Sequence, residues 1–498
     1  MSLVKKYLES QANPSTEMIA YLANLEMVAR VDPEIAKATV KELKDQRTHL
    51  KMIASENYSS LSVQAAMGNL LTDKYAEGFP HHRFYAGCDN IDFIEAQAVD
   101  YAKQLFGAEH AYVQAHSGAD ANMLAYWTIL CKRVQEPEIE KYGTTDPSKL
   151  SREDWEDLKK TLGNQKLMGL NYYSGGHLTH GYRHNVSARM FDCINYDVDP
   201  ETQLLDYDSI REIALKEKPL VFLTGYSAYP RKINFKKMRE IADEIGAVFM
   251  VDMAHFAGLV AGKVFTGDYN PVEHAHIVTS TTHKTLRGPR GGLVLCKEEF
   301  AEWLDKGCPI LQGGPLPHVM AAKAIAFKEA LKPEFQDYAR RIVENSSALA
   351  EGLKAEGIKL TSDGTDNHLM VLDIRNFNLT GRQAEDALRE ASITLNRNSI
   401  PFDPNGAWYT SGLRFGTAAL TSLGMGVPEM QEIAKIIKLV LSNTTANKIT
   451  KGAKAGEQSK AKYTLDQNAL SEAKQRVGAL LEKFVLYPEL DLATLEQI

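Results

Sequence analysis

Between residues 65 and 331, short β-branched or aromatic runs alternate with amphipathic stretches of helical period. The runs AYV (111–113), LVFL (220–223), AVFMV (247–251), HIVTST (276–281) and LVLC (293–296) are apolar and end at polar or turn residues, so they predict buried strands. Strands separated by helices imply a mostly parallel sheet covered on both faces. Upstream, DPEIAKATVKELKDQ (32–46) predicts a helix with Asp32 at its N-cap and Pro33 in its first turn, preceded by an N-terminal arm. Past Pro333 a long helical pattern leads to a strand in HLMVLDIR (368–375) and a capping box at Thr380 and Gln383. The expected division is an arm (1–60), a large α/β domain (61–335) and a smaller α+β domain (336–498). Two stretches read as surface insertions: the charged segment 133–165, with one short helix after Ser151, and the lysine-rich segment 443–463, read as a solvated loop.

Composition narrows the class. A chain of 498 residues, 44% hydrophobic and 24% charged, can bury more than one core. A net charge of −7 leaves no basic footprint for nucleic acid. The five cysteines are scattered and odd in number, which fits a reducing compartment and gives neither a disulfide framework nor a zinc site, so no metal is expected. No segment approaches the ~20 apolar residues needed to span a bilayer, and MSLVKKYLES lacks the apolar core of a signal peptide. A soluble cytoplasmic protein is expected.

The chemistry concentrates at strand ends. Lys284, in TSTTHKTLRGPRGG (279–292), follows one predicted strand, and Asp252, with His255 three positions on, ends another. An amine and a carboxylate so placed point to pyridoxal phosphate: the amine forms a Schiff base and the carboxylate keeps the pyridine nitrogen protonated. Ser117 and Gly118 open a helix whose N-terminus suits a phosphate. SGGHLTHG (174–181) offers paired glycines for close backbone approach and His177 for the cofactor face. Arg414 presents a planar fork suited to a substrate carboxylate. The aromatic, glycine-rich loop 72–88 carries Glu77 as acid or base and Tyr75 and Tyr85 as hydrogen-bond donors.

These blocks, with IASEN (53–57), VDMAH (251–255), QGGPL (312–316) and GTDNHL (364–369), resemble the serine hydroxymethyltransferase family across most of the chain. The resemblance implies a fold type I pyridoxal phosphate enzyme with a seven-stranded sheet, transferring the hydroxymethyl carbon of serine to tetrahydrofolate to give glycine. It implies that Lys284 holds the cofactor, Asp252 meets the pyridine nitrogen, His255 lies near the phenolic oxygen and His177 stacks on the ring. Ser117, Gly118 and the Ala119 amide would hold the phosphate, with Ser227 and His283 also in the cofactor site. Gly313, Gly314 and Tyr75 would reach the phosphate from the neighbouring subunit, making a homodimer or larger assembly with shared sites. Ser55, Tyr85, Glu77 and Arg414 would surround the amino acid. Tyr172, Gly176, His177, Leu178, Asn398, Gly406, Ala407 and Trp408 would form the folate side.

Several positions depart from the family pattern. Ala119 replaces a serine and Phe84 a tyrosine. On the folate side Tyr172 replaces a leucine, Gly406, Ala407 and Trp408 replace Ser-Pro-Phe, and CPIL (308–311) replaces a glycine-containing turn. An enzyme of the same fold that cleaves β-hydroxy amino acids or racemises alanine without folate would share every cofactor residue. A catalytically inactive binding protein would be expected to lose Lys284, Asp252 or Arg414, and all three are present.

Overall fold

The predicted strands form five adjacent strands of a seven-stranded sheet. In the computed structural model, which describes residues 2–498, the seven are β1 (His110–Tyr112), β2 (Lys166–Leu170), β3 (Asp192–Tyr196), β4 (Val221–Gly225), β5 (Val248–Asp252), β6 (Ile277–Thr281) and β7 (Gly292–Cys296). Their order is β1-β7-β6-β5-β4-β2-β3, and β7 alone runs antiparallel to its neighbours. Strands β4 to β7 are buried at every residue, as a sheet covered on both faces demands. The apolar runs do not announce β2 and β3. Edge strand β3 is half-exposed, so its sequence, DCINY, mixes polar and apolar residues. Because β5 and β6 are parallel neighbours pairing Asp252 with Thr279, their C-terminal ends open on the same side, where ligands of such sheets bind.

The arm comprises helices α1 (Leu3–Ser10), α2 (Thr16–Val31) and α3 (Pro33–Thr48). Asp32 caps α3 as expected, accepting from the Glu34 and Ile35 amides. Apolar residues of all three pack against Leu486, Leu490 and Leu495 near the C-terminus. Two helices follow that matter to the site: α4 (Asp89–Phe106) and α5 (Gly118–Leu130), the latter capped by Ser117. The charged insertion contains the expected helix, α6 (Arg152–Gly163), capped by Ser151. Helices α7 (Pro317–Ala330) and α8 (Pro333–Ala355) lead into a second core around a four-stranded sheet. Its strands, β8 (Lys359–Leu360), β9 (Leu369–Asp373), β10 (Asn396–Asn398) and β11 (Gly412–Gly416), are ordered β8-β9-β11-β10. The capping box of α9 (Gly381–Glu390) forms at Thr380 and Gln383 as predicted.

The lysine-rich segment corrects its expectation as a loop. It folds into a hairpin of β12 (Thr444–Lys448) and β13 (Gln458–Leu465). The high lysine count hid a period of two: along β13, Ser459, Ala461 and Tyr463 are half-buried while the lysines between them are exposed. The Gln383 amide donates to the Ser459 and Lys462 carbonyls at 2.7 and 2.8 Å, fastening the hairpin to α9.

The loop 72–88 is held from beneath by a buried ion pair. Arg83 donates to Glu95 of α4 at 2.5 Å, to Asp92 at 2.8 Å and to the Ala76 and Gly78 carbonyls at 3.0 Å each. Gln114 donates to the other Glu95 oxygen at 2.7 Å. Removing one member of such a pair strands its partner in a low dielectric. Glu95→Leu, which leaves Arg83 only Asp92, is expected to destabilise the protein by about 3 kcal/mol. An unchanged melting temperature, with no added proteolysis in this loop, would show the pair to be dispensable.

Candidate active site

The loop after β5 and the loop after β6 are stitched together. Thr285 donates to the His255 carbonyl and accepts from the Gly258 amide, both at 2.9 Å. A Cβ on Gly258 would overlap the Thr285 backbone. Asn57, from IASEN, donates to the Lys284 carbonyl at 2.8 Å and to the Tyr338 hydroxyl at 2.7 Å. Lys284 is thereby fixed beside the end of β5.

Asp252 is buried yet fully satisfied. One carboxylate oxygen accepts from His180 Nε2 at 3.0 Å and Asn122 Nδ2 at 2.9 Å, and the other from the Ala254 amide at 3.0 Å. Burial alone would raise its pKa, but the His180 hydrogen bond and charge hold the carboxyl well below the usual carboxylate range. Asn122 lies one turn inside α5, and its amide also reaches the Thr179 hydroxyl, which contacts His177 Nδ1 at 2.7 Å. The sequence reading missed His180, Asn122 and Thr179. The only signal available was a polar asparagine in an otherwise apolar helix and a second histidine in SGGHLTHG.

A cleft of about 410 Å³ joins the two cores. Of the expected cofactor and substrate residues, Ser55, His177, Ser227, His255, His283, Lys284 and Arg414 line it. So do the expected folate residues Tyr172, Gly176, Leu178, Asn398 and Ala407. Trp408 is 62% exposed and stands outside, with the guanidinium groups of Arg382 and Arg397 each 5.5 Å from its ring, and Gly406 is exposed. Glu56, Arg290 and Asn396 also line the cleft, and nothing in the sequence singled them out.

Burial governs protonation in the cleft. It lowers the Lys284 amine to about 8, with Arg414 and Arg290 lowering it further and Asp252 opposing. It lowers His177 to about 4 and His283 to about 3, so both rings are neutral at pH 7. His255 is likewise held well below its usual range, and its Nδ1 lies 3.2 Å from Nε2 of buried His368. Arg414 donates to Asn396 Oδ1 at 3.1 Å and to the Ser227 carbonyl at 2.7 Å, and among the described residues no carboxylate lies within ion-pair distance of it. Three of the five guanidinium N–H groups remain free to meet an anion.

The Ser117–Gly118 segment packs against the strands that flank the Lys284 loop. Ser117 is exposed at the N-terminus of α5 and accepts from the Asp120 amide at 3.1 Å. Gly118 packs on Thr281 and Gly292 on the Ser117 carbonyl so closely that a Cβ at either would overlap its neighbour. The paired glycines of SGGHLTHG also make a close approach within the chain itself. Gly175, at φ +105°, and Gly176 spare the backbone of Ala228–Tyr229 and the Leu170 carbonyl respectively, so the close approach is to the protein's own chain.

One group of expected residues stands apart from the cleft within this chain. Glu77 accepts from the Tyr85 hydroxyl at 3.2 Å, and the Tyr85 ring packs edge-on against Tyr75 at 5.2 Å. Gly314 lies against Tyr75, and its carbonyl is 3.0 Å from His116 Nε2. Together with Gly313 these residues form a partly exposed cluster that reaches His116, and none of them lines the Lys284 cleft.

The family model for serine hydroxymethyltransferase matches residues 28–136 and 159–437, leaving out most of the charged insertion and the β12–β13 hairpin. A serine hydroxymethyltransferase of Treponema pallidum is 59% identical over 98% of this chain and 85% of its own. One from Salinispora tropica is 55% identical over 96% of this chain and 99% of its own. A third, from Chlamydia trachomatis serovar D, is 51% identical over 99% of each chain.

Protonation at Lys284 is directly testable. In cofactor-free protein the rate of acylation of Lys284 by acetic anhydride is expected to rise with pH through a midpoint of about 8. Because the Arg414 charge lowers that pKa, Arg414→Leu is expected to move the midpoint upward. Peptide mass mapping of Lys284 would read both, and a midpoint near that of ordinary surface lysines would contradict the environment described.

Proposed function

The chain belongs to the serine hydroxymethyltransferase family, and from that premise we propose how its own residues carry out the reaction. That reaction is the reversible transfer of the serine hydroxymethyl carbon to tetrahydrofolate, giving glycine and 5,10-methylenetetrahydrofolate, with pyridoxal phosphate as cofactor. When bound, pyridoxal phosphate withdraws electrons from the α-carbon of the amino acid. The donor set suits that group in three separate places. Lys284 offers an amine of lowered pKa, Asp252 a carboxylate kept ionised in a buried setting, and Ser117 the N-terminus of a thirteen-residue helix.

In this reading Asp252 would hold the proton on the pyridine nitrogen, and neutral His177 would cover the ring without adding charge. His255 would lie near the phenolic oxygen, and Ser227 and His283 would complete the cofactor wall. Arg414 clamps the substrate carboxylate and so sets which α-carbon bond faces the ring, with Ser55 alongside. Tyr172, Leu178, Asn398 and Ala407 take the folate, with Gly406 and Trp408 on its outer rim. Glu77, hydrogen-bonded by Tyr85, carries the proton to and from the hydroxymethyl oxygen. The observation that carries this reading is a half-buried arginine, without a carboxylate partner among the described residues, sharing one cleft with Lys284.

Glu77 and Tyr85 sit with Tyr75, Gly313 and Gly314 rather than in the cleft of their own chain, so we assign this cluster to the site of a second copy. Each site would then draw Lys284 from one subunit and Glu77 from its partner in a homodimer or larger assembly. We also retain the three-part division into arm, 61–335 and 336–498. A cytoplasmic setting is supported by five cysteines that are all free. Among the described residues no helix is long and apolar enough to cross a membrane.

Replacing the planar fork by a point charge should cost one charge-assisted hydrogen bond, so Arg414→Lys is expected to raise the KM for serine by about 10- to 100-fold. Steady-state kinetics at saturating tetrahydrofolate would read this, and an unaltered KM would remove Arg414 from substrate binding. The shared site predicts complementation. Lys284→Ala and Glu77→Gln chains, each inactive alone, should recover about a quarter of wild-type activity when mixed and reassembled, because half of random dimers are mixed and each holds one intact site. No recovery, with mixed dimers demonstrated by mass spectrometry, would place Glu77 and Lys284 of one chain in the same site.

A further inference from the structure

Lys323 is the most deeply buried cation outside the site described above. It lies on α7, is 1% exposed, and has no carboxylate within ion-pair distance among the described residues. Its Nζ instead donates to three main-chain carbonyls: Val113 at 2.5 Å, Ala115 at 2.9 Å and Gly292 at 2.8 Å. Three acceptors around one nitrogen call for three N–H donors, which only the ammonium form has.

The position of those carbonyls is informative. β1 ends at Tyr112, so Val113 and Ala115 belong to the segment that leaves the sheet for Ser117. Gly292 opens β7 at the end of the loop that begins at Lys284. The ammonium therefore sits under the junction between the helix-capping segment and the Lys284 loop, where the strand ladder stops and carbonyls lose their sheet partners. The same junction is closed by the Gly292 amide donating to the Ala115 carbonyl at 2.9 Å. Gly291 leaves room for the lysine stem, since a Cβ there would meet Lys323 Cε at 2.6 Å. Burial pushes the amine down to about 7, opposed by Asp120 in the first turn of α5 and by Glu95 of α4.

We propose that Lys323 is a positioning residue for the cofactor phosphate: its ammonium fixes the Val113–Ser117 segment against the Lys284 loop and places a buried positive charge beneath the N-terminus of α5. This rests on the reading that Ser117, Gly118 and Ala119 hold the phosphate. A lysine serving only the fold would support any ligand of the cleft equally. A lysine serving the phosphate would distinguish a phosphorylated ligand from its unphosphorylated counterpart.

The test compares pyridoxal phosphate with pyridoxal, by equilibrium binding to the full-length protein followed through cofactor absorbance. Lys323→Met is expected to weaken pyridoxal phosphate by about tenfold or more, the size of a lost charge-assisted interaction, and to leave pyridoxal within about twofold. Lys323→Gln, which keeps donors but no charge, is expected to fall between. Equal weakening of both ligands, or no weakening of either, would overturn the proposal, as would failure of both variants to fold. Ser117→Ala is the control on the underlying reading. If Ser117→Ala discriminates between the two ligands while Lys323→Met does not, the cradle assignment stands and the role of Lys323 is overturned; if neither discriminates, the cradle reading itself fails and the role of Lys323 with it.

Discussion

A carboxylate kept ionised away from water is the constraint around which this site is organised. Burying Asp252 without partners would drive it to the neutral form, so each of its oxygens must be met, and the three donors that meet it come from three separate elements. His180 comes from the SGGHLTHG loop, Asn122 from α5 and Ala254 from the turn after β5. The tie extends further, because Asn122 also accepts from Thr279 on β6 at 2.5 Å and donates to Thr179, which orients His177. One buried charge thus sets the relation between the sheet, the helix whose N-terminus is Ser117 and the loop that carries the His177 ring. An aspartate exposed to solvent would need none of these partners and would position none of them.

What could be read from the sequence follows from the same physics. β5 and β6 were visible because strands buried on both faces must be continuously apolar, and Asp252 and Lys284 stood out as the polar residues at which those runs end. Ser117 and Asp32 were legible because capping is local chemistry. His180, Asn122 and Asn57 were not, since their purpose lies in partners 72, 130 and 227 positions away. The paired glycines were legible as a close approach, but a missing Cβ does not say whether the neighbour is a ligand or the chain itself. The β12–β13 hairpin was hidden by its lysines, which mark a solvated face without saying whether a strand lies behind it. The Glu77 cluster was identified as a group, and its separation from Lys284 within one chain is a fact of three-dimensional arrangement that local sequence cannot express.

The cleft also depends on contacts between the two cores. Arg414 projects from β11 of the smaller sheet, and its hold on the Ser227 carbonyl reaches back to the segment after β4. His368, just before β9, lies against His255 with the two rings stacked at 5.4 Å. Burial, with the Lys284 and Arg414 charges, lowers the His368 ring to about 3 while the Ala54 backbone opposes, so His255 is met by a neutral ring. A residue of the other core thus forms part of the cofactor-site wall.

The charges lining the cleft complete the argument. Lys284, Arg290 and Arg414 face one another across the same space, and both Lys284 and Arg414 have their pKa values lowered, Arg414 to about 10, chiefly by burial. Cations gathered in this way destabilise the folded chain on their own. Arg414 is held in place by its bonds to Asn396 and the Ser227 carbonyl, and each cation becomes favourable once an anion enters. A carboxylate meeting Arg414 satisfies N–H groups already held in place, so little further ordering is needed when it binds. By the same logic, proton loss from Lys284 is easier while Arg414 is unpaired, and a substrate carboxylate that neutralises Arg414 lifts that effect. Occupancy of the clamp and protonation of the anchor are thus coupled through the electrostatics of one cleft, with no movement of the fold required.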